Sequence, residues 1–262
     1  MIQAVLWDVD GTLAETERDG HRVAFNQAFA AVGVPWRWSE SRYGELLAVA
    51  GGRERLLHDM QSQAAAPATV HERSRLAAHL HRLKNQHYAA IVSRGELPLR
   101  AGVAQLLQDC RAAATRLAVV TTTSRCNADA LLACHLGQAW TGQFAAVICA
   151  EDAPRKKPHP QVYELALQRL GVPAHATVAI EDSPAGVEAA RRAQVPVVLT
   201  RSRYFCATAA EPAALASGPS LGEVRGWYPH VELPATRVTL AQIALWHREP
   251  QRRRRGTKPD PC

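Results

Sequence analysis

Two aspartates one residue apart, Asp8 and Asp10, end an apolar stretch in LWDVDGTL. Three more polar clusters follow apolar runs in the same manner. Thr121, Thr122 and Thr123 come after LAVV, Lys157 lies in RKKPHP after FAAVICA, and Glu181 with Asp182 comes after TVAI. One carboxylate can act as a nucleophile and a second as a general acid and base. Hydroxyls, backbone N–H groups and an ammonium can hold an oxyanion, and grouped carboxylates suit a hard divalent cation. Each cluster alone has a plainer reading. DGT makes a turn, TTTS caps a helix, KKP opens a solvated helix, and Glu181 is an acid at a helix start, where the dipole favours it. Their joint order, each at the end of a strand, is what points to one site.

The elements that must position these residues alternate. QAVLWDV reads as a short buried strand. After Gly102 the pattern runs helix (VAQLLQDCRAAA), strand (RLAVVTTT), helix (ADALLACHL), strand (FAAVICA), helix (QVYELALQRLG), strand (TVAIED), helix (AGVEAARRA) and strand (VPVVLT). Such alternation predicts an α/β fold, a Rossmann-like parallel sheet covered on both faces, with ligands at the carboxyl ends of the strands. From Glu17 to Ser93 the texture is helical, as in HRVAFNQAFAAVG and SRLAAHLHRLKNQHYAAIV. We therefore expect a core over 1–15 and 97–228 and an inserted helical cap over 16–96. A C-terminal extension over 229–262 follows, with one short helix (TLAQIALWH) and a partly disordered basic tail.

Composition bounds the function. The 262 residues are 47% hydrophobic and 21% charged, a globular balance. No run approaches the roughly 18 apolar residues of a membrane span, and MIQAVLWDVD does not read as a secretory leader, so none is expected. Six cysteines without a CxxC spacing speak against zinc and for a reducing compartment, so a cytoplasmic setting is expected. The net charge of +7 comes from arginines spread along the chain, with one run at Arg252–Arg255. That distribution favours a small anionic substrate over nucleic acid. A monomer is the default expectation.

DVDGT, a strand ending in Thr, KKPHP and EDSPAG together resemble the four motifs of the haloacid dehalogenase superfamily of phosphatases and mutases. The likeness covers residues 1 to about 205, and the helical insert resembles that superfamily's C1-type cap. LAETERDGHRVAFNQAF, YGELLAVAGGRERL, LRAGV, LAVVTTTS and KKPHPQVYELAL are similar to the CbbY branch, whose members include xylulose-1,5-bisphosphate phosphatases that remove an inhibitor of Rubisco in the Calvin cycle.

The resemblance implies a Mg²⁺-dependent phosphatase that forms an aspartyl-phosphate. Asp8 would be the nucleophile, and Asp10 the acid and base, its pKa raised by partial burial and by an anionic substrate. Asp8, the Asp10 backbone carbonyl and Asp182 would hold the metal with help from Glu181. Lys157, Thr121 and the Thr122 N–H would hold the transferring phosphoryl group. For the cap, Gly51 and Gly52 in GGRER would let backbone approach the substrate. Arg53, Arg82 and Lys84 would take a second phosphate, and Glu17, His21 and Tyr43 the sugar. Arg53 departs from a lysine frequent in the branch, and Arg100 is a weaker candidate at the cap's return hinge. The alternatives are a mutase like β-phosphoglucomutase, a phosphatase for phosphoglycolate or another sugar monophosphate, or a non-catalytic phospholigand or nucleic-acid binder.

Overall fold

The structure is a computed structural model and describes residues 1–206, 211–231 and 234–256. Among the described residues six parallel strands form one sheet: β1 (Ala4–Trp7), β2 (Arg116–Val120), β3 (Ala146–Ile148), β4 (Thr177–Glu181), β5 (Val197–Thr200) and β6 (Ala216–Gly218). Their order is β3-β2-β1-β4-β5-β6, so the winding reverses between β1 and β4. A crevice opens at such a reversal, outside the carboxyl ends of the strands. The α/β, Rossmann-like fold class is thus the one expected.

Register matters more than order for the chemistry. Trp7 pairs with Val119 on one side and with Ile180 on the other. One residue further on, Asp8, Val120 and Glu181 therefore stand level at the same rim.

Four helices fill the insert between β1 and Gly102: α1 (Arg22–Val32), α2 (Glu40–Leu46), α3 (Gly52–Asp59) and α4 (Val70–Ser93). A π-helical turn, Glu17–His21, leads into α1. The longest, α4, starts at a capping box in which Thr69 and Glu72 satisfy each other's backbone N–H groups. These helices bury their own apolar centre, with Phe25, Phe29, Trp36, Trp38, Tyr43, Leu56 and Leu80 in contact. Tyr88, Ile91 and Val92, near the end of α4, join the core cluster instead. The cap is therefore a second packed body rooted in the first.

In the core, α5 (Val103–Ala112), α6 (Arg125–Leu136), α7 (Gln161–Leu170) and α8 (Pro184–Arg192) cover the sheet. Leu106 and Leu131 pack on one face; Val162, Tyr163 and Val187 pack on the other. The C-terminal region differs from an appended tail. Helix α9 spans Leu240–Gly256, well past TLAQIALWH and through Arg252–Arg255. Val238, Ile243 and Trp246 are buried in the core cluster, Trp246 stacks on Trp227 at 5.2 Å, and Arg237 grips Asp109 at 2.8 Å. The rest of the basic tail, 257–262, lies outside the described residues. Among the described residues no helix is long and apolar enough to cross a membrane.

Candidate active site

Lys157 organises the floor of the site. Its Nζ donates to Asp8 Oδ1 at 2.6 Å, to Glu181 Oε1 at 2.6 Å and to the Val120 carbonyl at 2.9 Å, which uses all three ammonium protons. Tyr163, from α7, donates to the same Glu181 oxygen. Asp8, Lys157, Glu181 and Asp182 are all at most 6% exposed. Asp182 leans over the turn after β1, where Gly11 has φ +81° and a Cβ would stand 2.0 Å from Asp182 Oδ2. Both the backbone conformation and the crowding require glycine in DGT.

Burial raises the pKa of Asp8, Lys157 draws it partly back, and Glu181 and Asp10 push it up, to about 7 overall. Asp182 is held well above the usual carboxylate range by burial and by the charges of Asp8 and Glu181. Ligand oxygens of Asp8, Glu181 and Asp182 lie within 4.8 Å of one another. Three buried carboxylates so close repel as anions, and a divalent cation with oxygen ligands relieves that repulsion. The donor set therefore fits a metal ion.

Asp10 differs from its expected state. Burial acts to raise its pKa, but the charge and hydrogen bond of His21, the Thr16 hydroxyl and Lys84 bring it below the ordinary value. His21 Nε2 lies 2.8 Å and Thr16 Oγ1 2.5 Å from Asp10 Oδ1. Both partners come from the chain entering the cap, so the cap holds Asp10 ionised. The hydroxyl loop after β2 divides its duties. Thr121 Oγ1 accepts from the Thr123 N–H at 3.1 Å, while Thr122 lines the site.

Above this floor lie two small adjoining cavities of about 40 and 90 Å³. They share Asp10, Glu17, Gly51, Arg55 and Thr122. The first is closed by His21, Tyr43, Gly52, His81 and Lys84, and the second reaches Asp8, Lys157 and Asp182. Tyr43 donates to Glu17 Oε2 at 2.5 Å and accepts from Arg55 at 2.8 Å. The Lys84 ammonium sits over the rings of Phe25 and Tyr88 at 5.4 and 5.3 Å. Burial lowers its pKa to about 8 against the opposing pull of Asp10 and Glu17. A larger cavity, about 920 Å³, opens at the other end of the sheet beside Met1–Gln3 and Ala112–Arg116. It gathers none of the polar clusters, so chemistry and not volume locates the site.

Two expected cap contacts fall elsewhere. Arg53 is exposed and donates to Ser74 at 2.8 Å, and Arg82 is exposed beside His79. Arg55 takes the place expected of Arg53. Residues two apart on a helix point about 200° apart, and Arg55 lies one turn beyond Gly51 and Gly52, on their face. That spacing was a usable signal in GGRER. Arg100 serves the fold, binding the Gly11 carbonyl, Thr200 Oγ1 and the carbonyls of Arg201 and Pro219. Sequence reasoning also missed Thr16, His81 and Tyr163, whereas Thr123, named with the hydroxyl cluster, lines the first cavity. Thr16 and Tyr163 carry no local signal, since their partners come from other segments.

The chain matches the haloacid dehalogenase-like hydrolase family over residues 2–194. It is 43% identical to the plasmid-encoded CbbY of Cupriavidus necator over 94% of this chain and 97% of that one. It is 42% identical to CbbY of Rhodobacter capsulatus over 78% and 87% of the two chains. Among solved structures it is similar to an aspartate-to-asparagine variant of CbbY from Rhodobacter sphaeroides in complex with xylulose-1,5-bisphosphate. There the TM-score is 0.81 and the identity 36%, over 92% of this chain and 99% of that one. A β-phosphoglucomutase from Clostridium difficile shares the fold, with a TM-score of 0.71 at 20% identity over 96% and 99% of the two chains. The chain belongs to the haloacid dehalogenase-like hydrolases and, within them, to the CbbY proteins, as a hydrolytic enzyme of the phosphatase type.

Proposed function

We propose that the protein hydrolyses a phosphate ester of a small sugar bisphosphate, xylulose-1,5-bisphosphate first, in the cytoplasm and with Mg²⁺. The observation that supports this best is the cavity itself. It joins Asp8 and Lys157 on its floor to Arg55 and Lys84 in its roof, so cations face both ends of a doubly phosphorylated substrate. The relative in complex with xylulose-1,5-bisphosphate agrees with that reading.

Asp8 attacks phosphorus and forms the aspartyl-phosphate, which splits one hard displacement into two easier ones. As Asp8 spends its charge on phosphorus, Lys157 turns the proton it gives Asp8 to the phosphoryl oxygens, which it holds with the Thr121 hydroxyl and the Thr122 N–H. Asp8, the Asp10 carbonyl and Asp182 would hold the Mg²⁺, with Glu181 steadied beside them by Lys157 and Tyr163. When bound, the ion offsets the negative charge that a phosphate and the carboxylates bring together. Asp10 gives a proton to the leaving sugar oxygen and later takes one from water. Both protein contacts to its carboxylate fall on Oδ1, which leaves Oδ2 for this exchange. A phosphate dianion beside Asp10 raises its pKa and lets it carry the proton.

The test is a panel of phosphate esters with the purified protein. Inorganic phosphate released from xylulose-1,5-bisphosphate with Mg²⁺, and stopped by a chelator, is the expected result. An isomerised sugar phosphate without free phosphate means a mutase. Preferred release from phosphoglycolate or a sugar monophosphate moves the substrate. No phosphate from any sugar bisphosphate overturns the reading.

A further inference from the structure

One polar chain ties the cap to the core beside the cavity. Lys84 Nζ donates to Asn85 Oδ1 at 3.3 Å. Asn127 Nδ2 donates to that same oxygen at 3.1 Å and to Thr123 Oγ1 at 3.4 Å. Lys84 and Asn85 belong to α4 of the cap. Asn127 belongs to α6 of the core, and Thr123 lies just before that helix. The two ends, Lys84 and Thr123, line one cavity with Asp10 and His21.

Asn127 is 2% exposed and Lys84 3%, so water does not readily replace a missing partner. An amide oxygen accepts two hydrogen bonds, and Lys84 and Asn127 take both on Asn85 Oδ1. Among the described residues that oxygen is the one hydrogen-bond acceptor for the Lys84 ammonium, which otherwise rests on aromatic faces. Two of its three protons thus remain for an anion in the cavity. Where Lys84 stands is set from the core, through Asn127 and Asn85.

We infer that Asn127 is a positioning residue: it fixes Lys84 of the cap at the height of the substrate's second phosphate when cap and core are seated together. The inference rests on the bisphosphate reading above and adds a core residue to the control of substrate choice. The seating of α4 itself has independent support from Tyr88, Ile91 and Val92 in the core cluster. Loss of Asn127 therefore frees the lysine without unseating the helix.

The experiment is a double-mutant cycle with Asn127→Ala, Asn85→Ala and both together, which measures coupling in a shared network. Each enzyme is assayed on xylulose-1,5-bisphosphate and on p-nitrophenyl phosphate, an ester with no second phosphate for Lys84. Each single change raises KM for the bisphosphate about tenfold with a smaller effect on kcat, and the double change does no more than either. On p-nitrophenyl phosphate, kcat/KM stays within about twofold of wild type. Equal losses on both substrates make Asn127 a purely structural residue and overturn the inference. Additive effects, or an unmoved KM, overturn it as well. A wild-type enzyme that cleaves p-nitrophenyl phosphate and leaves every bisphosphate intact brings down the substrate reading itself, and the inference with it.

Discussion

The floor and the roof of the site are built by different physics. On the floor, one register sets Asp8, Val120 and Glu181 level, and Lys157 bonds all three. A rigid, buried sheet leaves these groups little freedom, which suits chemistry that needs fixed distances. The roof is a separately packed helical body whose polar groups reach the cavity only by helix phase. Besides the apolar seat of Tyr88, Ile91 and Val92, it meets the floor through specific contacts that include Thr16 and His21 with Asp10, Asn85 with Asn127, Glu54 with Lys156, and Tyr204 against Gly44. The difference teaches a division of roles. On the function proposed above, the floor determines which bond breaks, and the roof determines what is presented to it.

The floor is where a substitution has the largest effect. Asp8→Asn keeps size and shape but removes the proposed nucleophile, so kcat falls by at least about a thousandfold. Calorimetry on the same variant shows the bisphosphate still bound, because its roof contacts persist. Substantial turnover in that variant removes the covalent step from the account. A collapse of binding together with turnover breaks the division between floor and roof.

The same division explains what the sequence could tell. Asp8, Glu181 and Asp182 were legible because a residue at or just beyond the end of a buried strand reaches the rim whatever the details of packing; Lys157, in the loop after β3, was legible from its place in KKPHP. Strand β6 was not, since Ala216–Gly218 has no strand-like side chains and its place depends on Trp227 lying against Gly218. Asp10 was legible as a site residue but not in its state, because His21 and Thr16 hold it ionised from across the hinge. In the cap, a two-residue error in helix phase separates Arg53, outside, from Arg55, inside.

That phase difference gives the next test. Arg55→Ala removes a buried guanidinium that binds Tyr43 and the Leu46 carbonyl. KM for the bisphosphate rises about ten- to a hundredfold, the size expected for charged hydrogen bonds, and kcat falls less. Arg53→Ala, on the outer face, leaves both constants at the wild-type value. Steady-state kinetics on the two variants decide the matter, with thermal melts to show that Arg55→Ala remains folded. Equal effects from both changes mean that the cap seats differently on the core.

The smallest effect belongs to the contact between roof and floor at the mouth of the site. Lys156, next to Lys157, pairs with Glu54 of α3 at 3.4 Å, and the Glu54 side chain is 50% exposed. An exposed pair of this kind contributes about 0.2–1 kcal/mol, enough to bias cap closure and not to create it. Glu54→Gln keeps the side-chain shape and removes the charge, so KM rises only about two- to threefold. The chemical step, which uses neither residue, keeps its kcat. Salt supplies the control, because a surface pair is screened as the Debye length falls to about 3 Å near 1 M. Since salt also weakens binding of any anionic substrate, the quantity to follow is the ratio of variant to wild-type KM across a salt series. That ratio converges on one at high salt if Glu54 and Lys156 act as a latch between the two bodies. A ratio independent of salt, or a loss in kcat, shows instead that Glu54 acts on the floor, and the boundary between roof and floor must then be drawn on the other side of α3.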